Sequence, residues 1–225
     1  MRHIAAGNTA EIYLRDDYIV KVYSRHSKQD VEYEAGTQAY ARSLGLRVPT
    51  VIEVTEIDGL PALVMEHAAG VPMKDLMFEQ PERAQEYLTR SVEIQREVHA
   101  IAAPELRKMS ERLRQQIRSI DELSSEEKAT LIELLEDVGK ETRLCHGDLH
   151  VMNLIVDGDE VAIIDWMDAT CGNPLLDACR TYVLYAEVDA DLATAYLAEY
   201  CRQAVVAPGE VLRWKPVMTG ARLSE

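Results

Sequence analysis

Strand patterns in this chain are confined to its first sixty-odd residues and to one short stretch near its middle, while helical patterns fill the rest. Glu11-Ile12-Tyr13-Leu14 and Tyr18–Tyr23 are β-branched or aromatic-rich runs separated by Arg15-Asp16-Asp17, which reads as a hairpin. Asp30 is placed to cap a helix from about Val31 to Leu44, with Gly45 as its stop. Pro49 then opens the strand Val51-Ile52-Glu53-Val54. A turn at Asp58-Gly59 leads into Ala62-Leu63-Val64-Met65. The predicted order is β-β-α-β-β, followed by a helical body, and such a segregation predicts an α+β fold.

From Val71 onward helices are predicted to dominate. Pro81 begins a pattern that puts Tyr87, Leu88, Ile94, Val98 and Ile101 on one face. Ser124 and Glu127 have capping-box spacing ahead of Leu131, Leu134 and Leu135, and Gly139 fits the stop. Two short strands, Asn153–Val156 and Val161–Ile164, interrupt the helices around a turn at Asp157-Gly158-Asp159. Helical patterns return after Pro174, with a last helix predicted from near Glu210. Gly70 marks the expected boundary between a sheet-rich part (1–70) with its connector Met65–Gly70 and a helical part (71–225).

The chain of 225 residues carries a net charge of −15, with seven basic and ten acidic residues up to Gly70 and the remaining acidity after it. That balance lacks the electrostatic footprint of a nucleic-acid binder, whereas a cationic small molecule would be drawn to acidic walls. Cys145, Cys171, Cys179 and Cys201 include no Cys-x-x-Cys pair, which argues against a zinc site or a dithiol redox pair. Met1-Arg2-His3-Ile4 lacks the apolar core of a signal peptide, and no apolar run approaches the length of a membrane span. A cytoplasmic protein with reduced thiols, bound to no membrane, is expected.

The chemistry concentrates in Cys145-His146-Gly147-Asp148-Leu149-His150-Val151-Met152-Asn153 and in Val161-Ala162-Ile163-Ile164-Asp165. Phosphoryl transfer needs a positioned nucleophile and neutralisation of charge on the polyphosphate. Asp148, on a loop before a strand, is placed to accept a proton from a hydroxyl. Asn153 and Asp165 offer oxygen ligands of the kind that suit Mg²⁺, which keeps waters and phosphate oxygens in its shell. Taken singly these residues are turn formers, a cap and a strand end; their joint spacing around a hairpin is what points to catalysis.

His146-Gly147-Asp148-Leu149-His150-x-x-Asn153, followed by Ile164-Asp165-Trp166, resembles the aminoglycoside phosphotransferase and choline kinase branch of the protein-kinase-like fold, over nearly the whole chain. The resemblance implies a two-lobed fold that uses ATP or GTP with Mg²⁺. Asp148 would be the base, and Asn153 and Asp165 the metal ligands. Gly7-Asn8-Thr9-Ala10-Glu11-Ile12-Tyr13 would be the phosphate-covering loop, with Thr9 near the β-phosphate and Gly7 its single glycine. Lys21 would pair with the α- and β-phosphates.

Glu32 or Glu34 would orient Lys21. The two lie about 200° apart on a helix, so only one faces inward; Glu34-Ala35-Gly36 resembles the family's helix start and favours Glu34. The connector would read adenine through the carbonyl of Glu66 and the amide of Ala68, with Met65 at the back and Ile164 in the apolar floor. His146 and Asp177 would brace the catalytic loop, His150 would approach the γ-phosphate, and His99 reads as a satisfied core histidine. The acceptor implied is a small-molecule hydroxyl compound, an aminoglycoside or amino alcohol among others, with Glu187, Asp189 and Asp191 as candidate wall residues. The alternative from another class is a catalytically silent nucleotide-binding regulatory protein of the same fold.

Overall fold

The protein, seen in a computed structural model, is described for residues 1–6 and 9–224. It forms two compact units, one of Met1–Glu79 with Val151–Asp168, the other of Gln80–His150 with Ala169–Glu225. The first unit opens with β1 (Arg2–Ala6), β2 (Ala10–Arg15), β3 (Tyr18–Tyr23), α1 (Lys28–Ser43), β4 (Val51–Ile57), β5 (Leu60–Glu66), β6 (Val71–Pro72) and α2 (Met73–Glu79). The second continues with α3 (Ala84–Ala100), α4 (Met109–Ser119), α5 (Ser125–Leu134) and β7 (Arg143–Cys145). The hairpin β8 (Leu154–Asp157) and β9 (Glu160–Ile163) returns to the first unit, and β10 (Thr170–Gly172), α6 (Pro174–Val188), α7 (Ala190–Ala204), α8 (Pro208–Leu212) and α9 (Lys215–Arg222) complete the second. The chain is thus α+β, with a five-stranded antiparallel sheet in one unit and a mainly helical second unit.

The five-stranded sheet runs β1-β2-β3-β5-β4. Alternation along β3 splits its side chains between two cores. Val20 and Val22 pack with Ala62 on one face, while Tyr23 joins Leu63 and Met65 on the face that receives Val31 and Ala35 of α1. The β2–β3 and β4–β5 hairpins turn through Asp16 and through Asp58-Gly59, where both aspartates take positive φ.

Several local expectations are corrected. A fifth strand, β1, precedes the predicted four and pairs antiparallel with β2; its residues are all exposed, so no hydrophobic alternation announces it. Helix α1 begins three residues earlier than predicted, because Ser27 rather than Asp30 is the cap, with Asp30 completing a capping box as its third residue. The predicted box of Ser124 and Glu127 is present on α5. The stretch near Glu210 forms two short helices, with Pro216 in the first turn of α9 rather than inside one continuous helix. β6, β7 and β10 are two or three residues long, too short to carry a periodic signal.

The 151–168 segment belongs with the first unit because its hairpin is tied there at both edges. β8 pairs with β6 through Val71↔Val156 and Pro72↔Ile155. The Ile163 amide donates to the Arg47 carbonyl at 2.9 Å, and Arg47 pairs with Glu160. Gly70, at φ +120, lies so close to this hairpin that a Cβ there would overlap the Val156 carbonyl. In the second unit α7 packs against both α3 and α6, and α9 against α6.

Candidate active site

Lys21 and Tyr23 are two residues apart on β3 and therefore share the face that α1 covers. On α1, Val31, Glu34, Ala35 and Gln38 recur at helical spacing and are buried, while Glu32 is exposed. Burial of that stripe carries Glu34, and not Glu32, to the strand. Lys21 Nζ donates to Glu34 Oε1 at 2.9 Å and to Asp165 Oδ1 at 2.9 Å. The Tyr23 hydroxyl donates to the other oxygen, Glu34 Oε2, at 2.5 Å. Burial disfavours the Lys21 charge, but Asp165 and Glu34 outweigh it and raise its pKa. Burial pushes the Glu34 carboxyl up, and the Lys21 charge and the Tyr23 hydrogen bond act against that push. Such a pair is costly to break, because either partner alone is an uncompensated buried charge.

Asp165 follows β9 in the left-handed region, at φ 67, a conformation that aspartate tolerates better than most residues. The Trp166 indole N–H donates to the Ile163 carbonyl at 3.1 Å and braces this turn. The Ile164 amide donates to the Asn153 carbonyl at 3.0 Å, so the β8–β9 register continues one step and sets Asn153 opposite Ile164, the neighbour of Asp165. Asn153 is buried, whereas the Asp165 side chain keeps 39 % of its surface exposed. An amide oxygen and a partly solvated carboxylate on one hairpin end form a hard oxygen donor set that fits Mg²⁺, an ion that retains waters when bound.

Glu66 ends β5, with its amide bonded to the Thr50 carbonyl at 2.9 Å, and its carboxylate accepts from the Thr50 amide and hydroxyl. These hydrogen bonds hold the Glu66 carboxyl below the usual range. Ala68 follows in irregular backbone, and Ile164 is half-buried beside the Asn153 carbonyl. The Thr9 carbonyl accepts from the Ser24 amide at 3.1 Å. Gly7, the loop glycine, lies outside the described residues.

In the second unit, Asp148 follows β7 on a loop to which one face of α6 is bonded. Asp177 Oδ1 accepts the Gly147 amide at 2.8 Å, Arg180 donates to the Gly147 carbonyl, and the Thr181 hydroxyl donates to the Leu149 carbonyl at 3.0 Å. These three residues stand three and four apart on the helix, so one face binds three backbone groups of the loop. The Asp148 amide donates to His146 Nδ1 at 3.2 Å, and His150 Nε2 lies 3.5 Å from Asp148 Oδ1. Burial would raise the Asp148 carboxyl, but His150, with Arg180 and His146, holds it below the usual carboxylate range.

Beneath the loop, α3 contributes Gln95 and His99 from its buried face. His99 Nε2 meets Asp177 Oδ2 at 2.8 Å and Nδ1 meets the Tyr200 hydroxyl at 3.2 Å, so this core histidine is satisfied as expected. Sequence reasoning found Asp177 but missed Arg180, Thr181 and Gln95, whose only signal is helical spacing from Asp177 and His99. It also missed Tyr23, signalled only by its place two residues after Lys21. Among the wall candidates, Asp189 accepts from the Asp191 and Leu192 amides as the cap of α7, and Glu187 pairs with Arg222.

The phosphotransferase enzyme family model matches residues 1–212. No curated protein matches the sequence. Among solved structures, aminoglycoside-3'-phosphotransferase of type VIII has a TM-score of 0.72 at 20 % identity, covering 98 % of this chain and 91 % of that one. A thermostable mutant of aminoglycoside phosphotransferase APH(4)-Ia, in ternary complex with ADP and hygromycin B, gives 0.70 at 17 %, covering 98 % and 83 %. APH(3'')-Id from Streptomyces rimosus ATCC10970, in complex with ADP and streptomycin, gives 0.62 at 17 %, covering 92 % and 90 %. At these identities the likeness is one of fold.

Proposed function

We propose that this chain, which belongs to the phosphotransferase enzyme family, moves the γ-phosphoryl group of ATP or GTP to a hydroxyl of a small molecule. The observation that carries the reading is the ammonium of Lys21 held between Glu34 and Asp165, a fixed cation beside a partly solvated carboxylate. In this scheme residues 1–70 bind the nucleotide. Gly7 and Thr9 cover its phosphates, Lys21 oriented by Glu34 binds them, the Glu66 carbonyl and Ala68 amide read the base, and Ile164 lies under the ring. Asn153 and Asp165 would hold Mg²⁺, which supplies neutralisation of charge on the phosphates when bound.

Residues 71–225 carry the catalytic loop and the acceptor site. The acceptor hydroxyl gives its proton to Asp148 as its oxygen attacks the γ-phosphorus, and the bond to the leaving diphosphate breaks with the electron pair on the nucleotide. Asp148, its carboxyl held below the usual carboxylate range, is ionised at neutral pH and able to accept that proton. The acidic surface favours a cationic acceptor, an aminoglycoside or amino alcohol, over nucleic acid. Four buried unpaired cysteines accord with a reducing, cytoplasmic setting.

The test is an ATP-consumption screen against aminoglycosides, amino alcohols, sugars and nucleosides, run beside Asp148→Ala. Turnover with one acceptor class, lost in Asp148→Ala while MgATP binding persists, is the expected result. Undiminished turnover in that variant would remove Asp148 from its role, and silence of the wild type across the panel would favour a regulatory protein.

A further inference from the structure

We propose that Tyr23 is a positioning residue of the phosphate clamp: its hydroxyl fixes the second oxygen of Glu34, so that Lys21 is held between Glu34 and Asp165 instead of collapsing onto Asp165. The inference rests on the reading of Lys21 as the phosphate-binding lysine.

The arrangement is a four-residue relay inside one unit. Glu34 has no exposed surface, so each of its oxygens requires a partner from the protein. Lys21 serves Oε1 and the Tyr23 hydroxyl serves Oε2. Lys21 has three donors, two of which go to carboxylates of different character: Glu34 sealed in the core, Asp165 partly solvated. Remove the Tyr23 hydroxyl and Oε2 loses its donor in a place sealed from bulk solvent. The buried carboxyl, already pushed up by its burial, then takes up a proton more readily; as a neutral acid it is the poorer partner, and the ammonium moves toward Asp165. That shift withdraws Lys21 from the phosphates and occupies a carboxylate proposed to hold the metal.

The bland role for Tyr23 is core filling, since its ring packs with Ala10, Val31, Ala35, Leu63 and Met65. Its ring centroid also lies 5.1 Å from Lys21 Nζ. Phenylalanine preserves both the packing and the ring beside the ammonium, so Tyr23→Phe removes the hydroxyl alone.

The experiment is calorimetric titration of the full chain and of Tyr23→Phe, Glu34→Gln and the double variant, with MgATP and with adenosine. Tyr23→Phe is expected to weaken MgATP binding about tenfold, the scale of a hydrogen bond to a charged group. Adenosine binding, which does not use the clamp, should stay within about twofold of wild type. In the Glu34→Gln background, Tyr23→Phe should add less than about twofold, because Tyr23 acts through Glu34. Equal losses for MgATP and adenosine would make Tyr23 a packing residue and overturn the inference. So would fully additive losses, or an unchanged MgATP affinity in Tyr23→Phe. Failure of the wild type to bind MgATP at all would overturn the phosphotransferase reading, and this inference with it.

Discussion

Lys21 and Asp165 stand 144 residues apart in the chain, yet Nζ of one donates to Oδ1 of the other at 2.9 Å. The contact is the far end of a hairpin returning to the unit in which Lys21 sits, and it is shared with the buried Glu34. The two carboxylates are not equivalent, since Glu34 is sealed and Asp165 is 39 % exposed.

Unequal burial predicts unequal cost. Lys21→Met strands Glu34 as a buried carboxylate and should destabilise the protein by about 3 kcal/mol. Asp165→Asn leaves the Lys21–Glu34 pair intact and should cost clearly less. Urea denaturation of both variants measures this, and equal losses would contradict the ranking.

Asp165 also joins the proposed metal site to the fold. MgATP is expected to raise the melting temperature of the wild type, and Asp165→Ala should lose most of that rise. Scanning fluorimetry at matched MgATP measures this, and a full shift retained by Asp165→Ala would remove Asp165 from the proposed metal site.

Asp177 links loop architecture to pH. Burial would raise its pKa, but His99, the Gly147 amide and His146 hold it below the usual carboxylate value. A depressed folded pKa stabilises the protein fully above the unfolded value of about 3.9 and loses that contribution as pH falls through the folded value. The urea midpoint of the wild type should therefore fall more steeply below about pH 4 than that of Asp177→Asn. Because Asp148 is depressed in the same direction, the variant should keep part of the slope. Identical slopes would show that Asp177 carries none of it.

Gly70 tests the tie between the connector and the hairpin. Alanine there meets both an unfavourable φ of +120 and the Val156 carbonyl, so Gly70→Ala should destabilise by about 2–4 kcal/mol. Gly36, whose added Cβ meets nothing, is the control: Gly36→Ala should be neutral or slightly stabilising in the same thermal melts.

Much of the architecture is legible in the sequence. The four predicted strands of the first part, the hairpin turns at Asp16 and Asp58-Gly59, and the Ser124–Glu127 box are local features, set by neighbours a few residues away. Strand β1 is not legible in the sequence, because an exposed edge strand has no buried alternation to display. The cap of α1 is ambiguous in the sequence because Ser27 and Asp30 both bear capping side chains, and only the backbone path distinguishes the cap from the residue three positions on.

The candidate site divides in the same way. The types and spacing of Asp148, Asn153 and Asp165 pointed to phosphoryl transfer from the sequence by itself, because chemistry depends on which groups a short segment presents. Tertiary structure decided which glutamate meets Lys21, gave Tyr23 the other half of Glu34, brought the 151–168 hairpin into the first unit, and set Arg180 and Thr181 of α6 with Asp177 against the backbone of Gly147 and Leu149. Those pairings follow from which faces are buried and how strands register across more than a hundred residues. Local periodicity gives the phase of each element but not the partner that phase will meet.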